Sequence, residues 1–476
     1  MVARKQLLEL SFWREFISQR LDRSRFRGLP LTLLTIAFSY TFFLFLGIIE
    51  DITTSDLVVA ADIRIANLIA AFRSEHLAEL FLKITFLGKW EVILAFAIAF
   101  SIIFILLNRK RYVLPLWLSV AGSTIFVFLG KLAFHRQRPD IALYVEHSFS
   151  FPSGHAAIAV ALYGFMAYFL IRNLKHISLK ILTLITGIFI ALLIGFSRMY
   201  LGVHYFSDVW AGFLIGALWL ITSIGFTEHQ IRNNPQKKAT ISRCLLSLIP
   251  VIAAFIFYLV FTSSQLPELS MHNNLQTGLI ADNINTMFDD YSLPKYTETL
   301  VGVSQEPLSF IIIADNDSSL IQTFQKSGWH LADKAGHNSL IEIAKDAFFN
   351  KGYASAPMTP SFWNSYVHDF GFEKSTDANT VRARHHARFW KTQFKTKEGK
   401  NIYAGTASLD TGIKWGITHK ISPDIDAERE LLFSELNASG NILTESKLQF
   451  VNSLLGQNFA GDPFFSDGNA HIIEIK

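Results

Sequence analysis

Long apolar runs dominate the chain before about residue 262 and constrain its fold more than any other feature. Seven stretches approach the roughly 20 apolar residues needed to cross a bilayer: Leu29–Ile49, Trp90–Leu107, Val113–Leu132, Ala156–Ile171, Leu179–Phe196, Val209–Phe226 and Leu245–Phe261. In hydrocarbon a backbone must satisfy its own hydrogen bonds, so these runs are read as helices. After residue 262 the composition is that of an ordinary globular domain. The expected fold class is an all-α polytopic membrane helix bundle followed by a soluble α/β domain.

Averages conceal this division. Hydrophobic residues make up 50% of the 476 and mean hydropathy is +0.30. The formal net charge of +4 is modest, and its cations gather in short loops beside apolar runs, which argues against a nucleic-acid partner. A single cysteine, Cys244, excludes an intramolecular disulfide.

Residues 1–28 interleave Arg4, Lys5, Arg14, Arg20, Arg23, Arg25 and Arg27 with apolar side chains. The segment is too long for a signal-peptide n-region and no small-residue cleavage site follows. It is expected on the cytoplasmic side, as a surface-lying helix or a loose basic tail. The stretch Leu57–Phe86, with Asp62, Arg64, Arg73 and Glu75, reads as interfacial helices. The positive-inside rule then puts three basic loops in the cytoplasm: Arg109-Lys110-Arg111, the loop with Arg172, Lys175 and Lys180, and the loop with Arg232, Lys237, Lys238 and Arg243. The seventh run carries the chain outward, so the tail is expected outside the cytoplasm. The expected divisions are 1–28, a membrane domain over 29–227, a seventh span over 241–262, a linker over 263–304 and a soluble domain over 305–476.

Three polar blocks interrupt the apolar half, and all fall on the extracytoplasmic side. They are Lys131-x6-Arg138-Pro139, Pro152-Ser153-Gly154-His155 and Ser197-Arg198-x5-His204-x3-Asp208. Charges near lipid are costly and mark function. Lys131 supplies charge, while Arg138 and Arg198 can also donate bidentate hydrogen bonds to a phosphate. Ser153 and Gly154 open a helix whose N–H groups favour an anion. His204 and Asp208, four apart, would share a helix face, with the aspartate holding one imidazole nitrogen and leaving the other free to attack phosphorus. His155, starting another span, would protonate the departing oxygen. His135, Arg136, Asp140, Glu146 and His147 could tune a head-group pocket, but solvated loop residues are the reading adopted.

In these spacings the sequence resembles the membrane branch of the type-2 phosphatidic acid phosphatase and vanadium haloperoxidase superfamily, whose signature is K-x6-RP, PSGH and SR-x5-H-x3-D. The resemblance covers roughly residues 30–226. It implies a six-span core with an extracytoplasmic site, turnover without metal or other cofactor, and a phosphohistidine intermediate. By matching positions, His204 would be the nucleophile, Asp208 its partner and His155 the acid, with Lys131, Arg138, Ser153, Gly154 and Arg198 binding phosphate. The implied substrate is a lipid phosphate or pyrophosphate: phosphatidic acid, phosphatidylglycerol phosphate or undecaprenyl pyrophosphate. The implied location is a bacterial inner membrane, with membrane lipids as surroundings. Alternatives are a lipid phosphotransferase using the same phosphohistidine, a vanadate-holding haloperoxidase, and a catalytically inactive envelope anchor or sensor.

From about residue 305 the chain resembles the LssY-like C-terminal domain found fused to such phosphatases. The resemblance rests on Arg384-His385-His386-Ala387-Arg388-Phe389-Trp390, on Thr418-His419 and on Pro423 to Arg429. Leu308–Ala314 reads as a buried strand, Asp317–Gly328 as a helix, and the stretches around Arg388–Lys395 and Asn401–Ser408 as a small antiparallel sheet. His385, His386, His419, Asp424 and Asp426 could ligate a metal, but their spacing matches no standard site. A buried hydrogen-bond network is the reading adopted, with no site residue and no partner assigned.

Overall fold

The computed structural model describes residues 17–23, 25–54, 56–232, 241–270, 278–333, 358–380, 383–414, 418–458 and 461–476. Most of the basic segment expected over 1–28 lies outside the described residues. The chain divides into two compact units, residues 1–62 with 73–272, and residues 63–72 with 273–476.

The first unit is helical. Its elements are α1 (Leu29–Thr54), α2 (Asp56–Ala71, which ends beyond the unit boundary), α3 (Glu75–Thr85), α4 (Trp90–Leu106), α5 (Val113–Phe134), α6 (Gly154–Asn173), α7 (Ile177–Tyr200), α8 (Phe206–Arg232), α9 (Ile241–Leu246) and α10 (Leu248–Ser264). Five of them, α1 and α5 to α8, are long and apolar enough to cross a membrane, and α3 with α4 makes a sixth if the pair, bent by 50°, counts as one span. Among the described residues this gives five to six candidate spans, and the seventh expected run, α10, is present as a shorter apolar helix. Helices α4 and α10 have 17 residues each, the lower limit of the ~17–25 residues that span a bilayer.

Helix directions alternate. Helix α5 runs from the Arg109–Arg111 loop toward Lys131, α6 from His155 toward Arg172, α7 from Lys175 toward Arg198, and α8 from Asp208 toward Arg232. The basic ends are tied together. Arg172 Nε donates to Glu228 at 2.9 Å, Arg111 Nη1 to the Gln230 carbonyl at 3.2 Å, and Arg243 Nη1 to Asn108 at 2.7 Å.

At the other end the helix starts are packed closely. Small side chains let helix backbones approach in a membrane, and α6 presents Ala156, Ala157, Ala159 and Ala161, all fully buried. Opposite, Gly212 of α8 lies so near that a Cβ there would sit 2.4 Å from the Ser153 carbonyl oxygen. That contact lets the Ser153 N–H donate to the Asp208 carbonyl at 2.9 Å. Helix α5 stops at His135, whose left-handed backbone (φ 48°) returns its N–H to the Lys131 carbonyl.

The second unit is built on a nine-stranded sheet. Its long strands are β1 (Phe310–Ala314), β2 (Phe370–Thr380), β3 (Ala383–Lys395), β4 (Asn401–Lys414), β5 (Ile442–Gln449) and β6 (Asn469–Ile475), in the order β5-β6-β1-β4-β3-β2. The β6 and β1 pair is parallel and its neighbours are antiparallel. Strand β1, a continuous apolar run buried at every position, sits inside the sheet. Helices α11 (Asp317–Lys326) and α12 (Ile425–Ala438) lend Leu320, Phe324, Leu432 and Leu436 to one core. The other core draws on residues expected to form a linker: Ala281, Met287 and Phe288 are buried against Trp363, Trp390 and Ile402. Their apolar side chains pack into the core of the tail, with a short helix at Met287–Asp290.

Candidate active site

Lys131, Arg138, Gly154, His155, Arg198 and His204 all line one cavity of about 500 Å³. The helices deliver them from three directions: Lys131 from the end of α5, Gly154 and His155 from the start of α6, and Arg198 from the end of α7. Arg138 and His204 come from the connecting loops. Apolar side chains, among them Trp90, Val127, Phe128 and Ile158, line the same cavity, as do Gln265 and Pro267 just past α10. Gly88 makes room for His155, because a Cβ there would lie 3.0 Å from the imidazole Cδ2.

Two predicted residues lie outside the cavity lining. Ser153 is buried and its hydroxyl has no hydrogen-bond partner among the described residues. Asp208 is fully buried. His204 precedes α8 instead of sharing a helix face with Asp208, because the helix begins at Phe206. The Asp208 carboxylate reaches back to the Tyr205 N–H at 2.9 Å, as a third helical residue does in a capping box.

The imidazole of His204 is therefore held from the turn. Its Nδ1 lies 3.5 Å from Asp208 Oδ2 and 3.4 Å from the Ser150 hydroxyl, which donates a short hydrogen bond to the same Oδ2. Its Nε2 is 3.3 Å from Arg138 Nη1 at the cavity wall. Burial first, and then the Arg138, Arg198 and Lys131 cations, hold this histidine well below the usual imidazole range. The ring is neutral at pH 7, so Nε2 can carry a lone pair.

The cations hold one another's surroundings in order. Arg198, 1% exposed, donates to the Tyr144 hydroxyl at 2.6 Å, the Thr85 hydroxyl at 3.1 Å and the Glu146 carboxylate at 2.6 Å. Arg138 donates to the Ser148 carbonyl at 2.7 Å and the Ser148 hydroxyl at 3.0 Å. Lys131 Nζ bonds the Ser148 hydroxyl at 3.1 Å and the Phe149 carbonyl more closely.

Two residues read as solvated belong to this network instead. Glu146 sits 3.6 Å from Arg138 as well as against Arg198. Burial would raise its carboxyl, but Arg198, His155 and Arg138 outweigh burial and hold it below the usual range. Arg136 is mostly buried and bonds two aspartates, Asp62 and Asp208. An isolated loop charge gives no sign of its partner in sequence. The available signals were weak: an arginine two before Arg138, and one aspartate inside the apolar stretch around Asp62.

The tail's motif residues form separate contacts. His385 bonds Glu428 at 2.8 Å, His386 bonds Ser408 at 2.7 Å, Asp424 caps α12, and Asp426 pairs with Arg429 at 2.7 Å. The His419 side chain lies outside the described residues. Among the described residues no group of three His, Cys, Asp or Glu side chains could hold a metal.

Comparison with known proteins adds to this geometry. Residues 112–232 match the family model described as PAP2 superfamily, and residues 291–470 match that described as LssY C-terminus. Phosphatidylglycerophosphatase B of Bacillus subtilis is 36% identical over 190 residues, covering 39% of this chain and 93% of that protein. An uncharacterized 22.5 kDa protein in the cps region of Klebsiella pneumoniae is 29% identical over 201 residues, covering 41% of this chain and 90% of its own length. Two solved structures align: a PAP2 type phosphatidylglycerolphosphate phosphatase from Bacillus subtilis and Aquifex aeolicus LpxE. The first has 34% identity and a TM-score of 0.38, over 41% of this chain and 96% of its own. The second has 31% identity and a TM-score of 0.28, over 33% and 92%. The chain is a multi-pass membrane protein that belongs to the PAP2 superfamily of phosphatases and carries an LssY C-terminal domain.

Proposed function

We propose that this chain hydrolyses a lipid phosphate or pyrophosphate through a phosphohistidine on His204. The observation that carries the reading is the single cavity bordered by both histidines, by Lys131, Arg138 and Arg198, and by apolar walls. Three cations suit a phosphate whose charge builds up during transfer. Trp90, Val127, Phe128 and Ile158 suit an attached hydrocarbon.

In the first step His204 Nε2 forms a bond to phosphorus as the bond to the leaving oxygen breaks, and His155 gives that oxygen a proton. In the second step water attacks the phosphorus. His155 takes a proton from the water, and the N–P bond breaks to release inorganic phosphate. Asp208 holds the Nδ1 side of the nucleophile, and Ser153 and Gly154 support the phosphate with Arg198. None of these steps calls for a metal.

Phosphatidylglycerol phosphate is the first substrate to test, from the name of the Bacillus relative. Phosphatidic acid and undecaprenyl pyrophosphate follow. The basic helix ends support a cytoplasmic N-terminus, with the active site and tail on the outer face of a bacterial inner membrane. Purified protein should release inorganic phosphate from at least one of these lipids, in the presence of chelator. Label retained on a second lipid would indicate a transferase, and no turnover of any of them would end the proposal.

A further inference from the structure

Asp62, Arg136 and Ser207 form a buried polar knot behind the cavity. Asp62 comes from α2, which lies outside the 112–232 family match. It is 1% exposed and accepts the Ser207 N–H at 3.0 Å, the Ser207 hydroxyl at closer range, and Arg136 Nη2 at 2.8 Å. Arg136 turns its other nitrogen to Asp208 Oδ1 at 2.8 Å and to Ser207 Oγ at 2.7 Å, while its guanidinium lies 4.4 Å from the Tyr205 ring centre. Both oxygens of Asp208 are therefore engaged, Oδ1 by Arg136 and Oδ2 by Ser150 and the Tyr205 N–H.

A buried carboxylate needs a partner to stay ionised. One arginine alone would cancel the Asp208 charge and leave nothing to balance a positive imidazole. With Asp62 and Asp208 both ionised by their pairing to Arg136, these three side chains carry one net negative charge, which a His204 ring that has gained charge by phosphorylation would balance. The forked guanidinium also fixes the carboxylate's rotation, which a point charge would not.

We infer that Asp62 and Arg136 are positioning residues for the reaction, which orient the Asp208 carboxylate and set its net charge against His204. This rests on the proposed nucleophilic role of His204. Neither residue touches substrate; both act through Asp208.

The test compares full-length Asp62→Asn, Arg136→Lys and Asp208→Asn with the parent, using phosphatidylglycerol phosphate in mixed micelles or whichever lipid the parent turns over. Asp62→Asn should lower kcat about 10- to 100-fold, by analogy with the groups that hold a metal-bound histidine in place, with KM nearly unchanged. It also removes the net negative charge, so His204 protonates less readily and the acidic limb of the pH–rate profile moves to lower pH. The other groups facing His204, which are Lys131, Arg138, Arg198, Glu146, His155 and Ser150, are common to every variant. Arg136→Lys keeps the charge and loses the fork, so kcat should fall while the acidic limb stays in place.

If both variants lose melting temperature but keep kcat and the acidic limb, the knot is only a structural pin and the inference fails. If Asp62→Asn cannot be obtained folded, the kcat loss in Arg136→Lys, or its absence, decides the matter. Asp208→Asn separates the two levels. Should it retain full activity, the nucleophile reading itself falls and takes this inference with it. Should it lose activity while the other two do not, only the inference falls.

Discussion

Two of the described histidines stand beside an aspartate and a serine, and only one of the two borders a cavity. In the tail, His386 has both ring nitrogens occupied: Nε2 lies 2.7 Å from the Ser408 hydroxyl and Nδ1 3.2 Å from Asp410. In the membrane unit, His204 turns Nδ1 toward Asp208 and Ser150 and leaves Nε2 at a cavity wall. Residue types are the same in both places. The difference is open volume: a nitrogen bordering a cavity can meet a substrate, and a nitrogen held inside a sheet contributes only to the fold.

The sharpest way to break the comparison is to remove each ring. His204→Ala should cut phosphate release by about 10³-fold or more, as loss of a nucleophile does, with the melting temperature retained. His386→Ala should leave phosphate release per folded molecule unchanged and destabilise the tail by about 1–3 kcal/mol, the effect of orphaning buried polar groups. Abolished turnover in a folded His386→Ala protein would overturn the division. Next in size, Arg198→Lys should lower kcat/KM about 100-fold, because a lysine cannot replace a forked donor to a phosphate. Steady-state kinetics on the preferred lipid would measure this.

Acidity separates the two rings in another way. His204 must be unprotonated to attack and is held well below its ordinary value of ~6.5, so turnover should persist below pH 6.5. His386 is held down to about 4, mainly by burial. Between those values the unfolded tail binds a proton that the folded tail refuses, so tail stability should fall as pH drops from about 6.5 to about 4 and level off below. Thermal melts followed by tryptophan fluorescence would show it. A flat profile over that range would remove His386 from the account. The smallest expected effect is Thr85→Val: losing one hydroxyl to Arg198 should cost about 1 kcal/mol, or roughly fivefold in kcat/KM.

What the sequence made legible was local. The three motif blocks identified the cavity residues because each block sits at a helix end, and Leu308–Ala314 was readable as a strand from its continuous apolar run. The helix read over Asp317–Gly328 followed from its terminal glycine; it runs over Asp317–Lys326, and Gly328 takes a left-handed turn after it. Partnership between distant charges was not legible. Asp62 meets Arg136 across 74 positions, and Glu146 meets Arg198 across 52; no periodicity in either stretch marks the pairing. Span counting was only partly legible for a similar reason. Whether α3 and α4 act as one broken span depends on the turn between them, which apolar composition does not report.

The contact at Gly212 has a consequence for how such a site is assembled. Hydrogen in place of methyl, at Gly212 and again one turn on at Gly216, lets the start of α8 come this near to the start of α6. His155 and His204 belong to those two starts, so their separation is gauged by a residue that is neither charged nor part of the cavity lining. Gly212→Ala would push the seam open and move both rings apart together, spoiling the geometry while leaving every reactive side chain intact.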